Sequence, residues 1–226
     1  MPSINFNWFM IGLDILMIIY TLWILSFKNN NRFHKGIGLG LFIWLVALHF
    51  GLSTKSIFTE NISGVAFLII IVTAVGMVGA LLLLVTPIRR VVLNLDQQQL
   101  LLLQGIRVFF GASFLMQASL GEMPLMFGIL DGWTHIAAGF LGLIAAFSMV
   151  SHVNSERRAW FANIFGLLDI LIVASTLSLL ILDDITPHGS MMYAVFLPAP
   201  LWLWAHLISM YKLTKKGDKQ IRASVI

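Results

Sequence analysis

The sequence predicts an all-α integral membrane protein, a bundle of about seven transmembrane helices with the N-terminus outside and the C-terminus in the cytoplasm. Three observations predict it. Hydrophobic residues make up 59% of the chain and charged residues 11%, against about 45–50% and about 25% in soluble domains. The apolar residues fall in runs of about 18 or more, long enough to cross a bilayer as helices. The basic residues collect in alternate loops. Short segments alternating with period two, the mark of a β-barrel, do not occur.

The expected spans are 7–27, 36–54, 64–86, 99–120, 127–149, 159–182 and 191–211, followed by a basic tail at 212–226. The first is longer than a signal-peptide core and lacks a basic leader, so it reads as a retained span. A polar run from Lys28 to Lys35 separates it from the second. Pro87 closes span three, on which Gly76 and Ala80 read as helix-packing positions. On span four, Gln104, Arg107, Gly111 and Ala118 share a face, and Gly121-Glu122-Met123-Pro124 forms a tight link to span five. On span five, Asp131, His135, Ala138 and Gly142 share a face. Thr186-Pro187-His188-Gly189 precedes span seven, where Pro198 and Pro200 remove backbone donors and predict a kink or break.

Orientation follows from charge. Loops after odd-numbered spans carry Lys28, Arg32, Lys35, Arg89, Arg90, Arg157 and Arg158, and the tail adds Lys212, Lys215, Lys216, Lys219 and Arg222. The opposite side has only Lys55. Positive charge stays in the cytoplasm, so these loops are inside. The net charge of +4 therefore reflects topology, and nucleic acid is not an expected partner. The expected partners are the lipid bilayer and a small solute or ion. The short loops suit a multi-pass protein of a cell membrane, such as a bacterial inner membrane. Asn61-Ile62-Ser63 fits a glycosylation sequon but lies close to a span. The absence of cysteine excludes disulfides, thiol catalysis and cysteine-ligated metals.

Ionisable residues inside spans are costly and point to function. They are Asp14, His49, Arg107, Asp131, His135, Asp169 and His206. Counted from the span ends, Asp14, His49, Asp131 and His135 fall in the outer half, with Glu122 at the outer mouth. Arg107 and Asp169 fall near the midplane, and His206 in the inner third. Asp169 is the natural counter-charge for Arg107. These residues form the expected substrate or proton pathway. His49, His135 and Asp131 are also candidate ligands for haem or a divalent metal at an outer site, and His152 with His206 at an inner one.

Spans one and six share a pattern. Leu13-Asp14-Ile15-Leu16 is followed by Thr21, and Leu168-Asp169-Ile170-Leu171 by Thr176. A histidine follows in the next span each time, His49 and His206. Such inverted pairs occur in secondary transporters. The seven-span topology resembles that of the microbial rhodopsins, but span seven has no mid-membrane lysine; the nearest is Lys212. Gly111-Ala112-Ser113 resembles part of an intramembrane serine protease motif, but Phe114 stands where a glycine belongs. The first reading is a small ion- or proton-coupled transporter. A haem- or metal-binding redox protein, a lipid-modifying enzyme and an accessory subunit remain open alternatives.

Overall fold

Long apolar runs without the period-two alternation of strands favour helices, and the chain forms them. The computed structural model describes residues 5–26, 33–58, 61–151, 153–185 and 188–224, without the side chains of Phe33 and 216–224. Lys28, Arg32, His152, Thr186 and Pro187 lie outside the described residues. The described chain is all helical: α1 (Phe6–Ser26), α2 (Phe33–Ser53), α3 (Gly64–Leu84), α4 (Thr86–Asn94), α5 (Gln97–Leu102), α6 (Arg107–Ser119), α7 (Leu125–Ser151), α8 (Ser155–Leu179), a 3-10 turn (Leu182–Asp184), α9 (Met191–Phe196) and α10 (Pro198–Ser224). Among the described residues, seven stretches are long and apolar enough to cross a membrane, with α5–α6 and α9–α10 each making one of them.

Local chemistry sets the helix ends. Asp96 and Gln99 form a capping box: the Asp96 carboxylate accepts from the Gln99 backbone N–H at 2.8 Å, and Gln99 Oε1 accepts from the Asp96 N–H at 3.0 Å. This satisfies donors that a helix start leaves unpaired. At the end of α6, Gly121 adopts φ +78°, and the Glu122 N–H closes back on Gln117 O at 3.0 Å. Only glycine takes that conformation without a Cβ penalty. Ser63, the last residue of the sequon, accepts from the Ala66 N–H and caps α3. The link between spans three and four is α4, a short helix where the sequence predicts a connection. Val91 and Val92 pack beside Leu25 and Leu95.

Two of the apolar stretches are broken. Residues 103–106 tighten to i→i+3 bonds, such as Gly105 N–H to Leu102 O at 2.8 Å, and Leu102 O also accepts from Tyr20 Oη at 2.7 Å. In the last stretch, Pro200 has no N–H for Phe196 O. The Trp44 indole donates to that oxygen instead, at 3.0 Å. Trp44→Phe keeps an aromatic ring but removes the indole N–H and strands the carbonyl. It is expected to cost about 1–3 kcal/mol in thermal or denaturant melts in detergent, with exposed Trp133→Phe as the silent control.

Close helix packing depends on glycine. A Cβ at Gly111 would lie 2.4 Å from Gly132 O, and one at Gly132 would lie 2.9 Å from Gly111 O. Backbone therefore meets backbone where α6 crosses α7. On α3 the inward face is Phe67, Ile71, Ala74 and Gly79. Gly76 and Ala80, expected to pack, face outward instead, because the contact is set by the Trp204 ring lying on Gly79. The core gathers Met10, Phe67, Phe110, Phe114, Leu177, Met192 and Trp202. The outward faces are apolar too, with Trp8, Trp23, Phe50, Ile69 and Phe147 exposed.

Candidate functional site

The break between α5 and α6 places Arg107 at the first position of α6, fully buried. A buried guanidinium needs a counter-charge and acceptors for its donors. Nη2 pairs with Asp169 Oδ2 of α8, and Nη1 donates to Gly166 O at 3.3 Å. The Trp202 ring lies against it, 5.2 Å from Cζ to the ring centroid, within cation–π range. Asp169 in turn faces α7. His135 Nδ1 lies 3.2 Å from Asp169 Oδ2 and 2.8 Å from Asp131 Oδ1. Both approaches are close but misaligned for a ring N–H, so Nδ1 and both Asp131 oxygens are buried without a formed hydrogen bond. The carboxylates and the ring converge on a common point, with one donor atom from each lying within 4.8 Å of the others.

The cluster continues through neutral groups. Arg107 Nη1 is 3.2 Å from His206 Nε2, and His206 Nδ1 is 3.0 Å from Asn163 Oδ1. A neutral imidazole with its proton on Nδ1 satisfies both, donating to the amide oxygen and accepting from the guanidinium. Gly166 makes room, since a Cβ there would lie 2.4 Å from His206 Nε2. Asn163 Nδ2 donates to Ser209 Oγ at 2.7 Å, and Gln97 Nε2 donates to the same hydroxyl. The result is one polar line from Asp131 on α7 to Gln97 at the start of α5, through otherwise apolar packing.

One recess touches this line, and another lies apart from it. The first, about 430 Å³, is apolar and touches Asp131 and His135. The other, about 450 Å³, is lined by Asn5, Gln117, Glu122, His188 and Ser190 at the Glu122 end of the bundle. Gln117 reaches inward from it, donating to Ser113 Oγ at 3.0 Å.

A family model described as "Domain of unknown function (DUF8737)" matches residues 63–214. The chain belongs to that family. The DUF8737 segment runs from the cap of α3 into α10 and contains every residue of the polar line. No curated protein and no solved structure matches the chain.

The first two helices precede the DUF8737 segment and carry the two expected site residues that stay outside the cluster. Asp14 is fully buried on the face of α1 that holds Met10 and Met17, and neither carboxyl oxygen has a hydrogen-bond partner. His49 Nδ1 lies 2.7 Å from Tyr193 Oη, and its ring rests on Trp8. An outer metal site of His49, His135 and Asp131 is therefore not assembled; Asp169 occupies the place expected for His49. The inner pair of His152 and His206 cannot be placed, because His152 lies outside the described residues. The depth division also changes. His135, set apart from Asp169 in the sequence, meets it directly, and Asp131 and Arg107 adjoin that contact from either side. Asn163, Ser209 and Gln97 join the cluster as neutral hydrogen-bonding groups that carry no charge to mark them in the sequence. The signal was present: Asn163, Gly166 and Asp169 recur every three residues along one face of α8, and His206 and Ser209 are three apart on α10.

Proposed function

We propose that the seven apolar stretches cross a cell membrane, with the Gln97 end in the cytoplasm, and that the chain is a small proton- or cation-coupled transporter. The carrying observation is the buried cluster of Arg107, Asp169, His135 and Asp131 beside His206. With both imidazoles neutral, Arg107 offsets one of the two carboxylates and one negative charge is left. Uncompensated charge in a low-dielectric interior is unfavourable, so the cluster favours one added cation or proton. Arg107 stands between the Asp131 side and the His206 side. A fixed positive charge at that point opposes free passage of cations. That property suits a carrier, which must not leak, better than a channel. The broken helices on either side of the cluster fit the same reading. The basic residues of the proposed cytoplasmic side and the amphipathic α4 support the orientation and a seat for α4 at the membrane surface.

A divalent metal on Asp131, His135 and Asp169 is the second reading, favoured by their convergence. Charge weighs against it. A divalent ion beside Arg107 would leave net positive charge in the core, whereas a single cation balances it. We therefore read the three as a coupling site rather than as metal ligands. No cluster contact favours a haem or a lipid-modifying enzyme.

The test is pre-steady-state charge movement by liposomes of the purified chain on a solid-supported membrane after a pH or sodium jump. Wild type is expected to give a transient current, and Asp131→Asn to lose most of it. A wild-type trace equal to that of empty liposomes would reject the reading.

A further inference from the structure

The apolar recess beside the cluster has a definite chemical character. Its walls come from α3, α6, α8, α9 and α10, and apart from Ser175 the wall residues are apolar. The Ser175 hydroxyl is turned back to Leu171 O at 2.8 Å. Val72 and Leu171 belong both to the lining and to the exposed surface, so the recess opens on the apolar flank of the bundle between α3 and α8. The polar end consists of Asp131 and His135. Asp131 is 1% exposed, with both oxygens free of hydrogen bonds. Arg107 does not line the recess; it lies behind Asp169. An occupant therefore meets hydrocarbon along its length and, at its end, a carboxylate beside an imidazole. A volume of about 430 Å³ lies within the range of small-molecule sites.

We propose that this recess binds a lipophilic amine that enters from the bilayer, with its ammonium group on Asp131 and His135 and its apolar body along α3 and α8. An ammonium supplies N–H donors and one positive charge, which the floor lacks. A fatty acid would set a carboxylate against a carboxylate. A phospholipid would bring a phosphate with no cation in the lining to meet it. As the cargo of the site the amine rests on the carrier reading above; as its ligand it does not. The floor is Asp131 and His135 from α7; behind it stand Asp169 from α8, Arg107 from α6 and His206 from α10, while α3 and α9 bring only apolar side chains to the recess. This set is short of one positive charge, so a proton and an ammonium compete for it. Binding of one releases the other, which is exchange.

The experiment uses the full chain in lipid nanodiscs, with tritiated decylamine as the probe and empty nanodiscs as the background. Saturable binding is expected. Decanol and decanoate of equal chain length should compete poorly. Binding should weaken as pH falls and protons occupy the site. Asp131→Asn should weaken it about tenfold or more, as expected for a lost charge-assisted hydrogen bond. Ala174→Phe, which fills the wall without touching the acid, should also abolish it and serves if Asp131→Asn does not fold. Equal competition by decanol, or unchanged binding in folded Asp131→Asn or Ala174→Phe, would overturn the proposal. Asp131-dependent charge movement without saturable decylamine binding would overturn the amine and leave the carrier. Asp131-dependent binding without charge movement would uphold the amine site and remove the carrier.

Discussion

Arg107→Met is expected to destabilise the protein by about 3–5 kcal/mol, the usual effect of removing one partner from a buried ion pair. The substitution leaves Asp169 and Asp131 facing each other across His135 with no guanidinium between them and His206. It also frees Gly166 O and His206 Nε2 from their donor. The prediction is sharper as a cycle. Asp169→Asn alone should be costly, because Arg107 is then the unpaired charge. The double variant should recover part of the sum. Reversible unfolding in mixed micelles measures all three, and strictly additive losses would show that the pair is not coupled.

The second large effect belongs to the crossing of α6 and α7. Gly111→Val should cost at or above the upper end of the about 1–3 kcal/mol typical of overpacking. Its Cβ would lie 2.4 Å from Gly132 O and 2.9 Å from the Ile136 backbone nitrogen, and backbone atoms cannot rotate away. Helix α7 would have to move outward, taking Asp131 and His135 from Asp169, so folded yield and charge movement should fall together. Gly76→Val is the control: nothing lies within 4 Å of its Cβ, and its melting point should stay at the wild-type value.

The positions of the seven stretches were legible because length and apolarity are one-dimensional properties. So was the pairing of Arg107 with Asp169, since each is the other's only strong remedy at similar depth. The break in the α9–α10 stretch was legible from Pro198 and Pro200. The break at 103–106 was not. Its residues include one glycine and no proline, and what holds it open is Tyr20, more than eighty positions away. Lateral position was illegible for the same reason. Depth alone put His49 level with Asp131, yet His49 meets Tyr193. Depth also divided the cluster in two, although the His135 ring on α7 reaches Asp169 on α8 directly.

The boundary of the family match gives the capped breaks a further meaning. Tyr20 and Trp44 both lie before residue 63, where the match begins, yet they finish the hydrogen bonding of two interruptions that lie within it. The shared segment is thus not self-sufficient. Cut free of α1 and α2, it would leave Leu102 O with the Gly105 N–H alone and the Phe196 oxygen without the Trp44 indole, and a buried carbonyl left unsatisfied costs about 1–3 kcal/mol. Whatever precedes the segment must supply a donor for the Phe196 oxygen, because Pro200 lies within the segment and keeps that interruption in place.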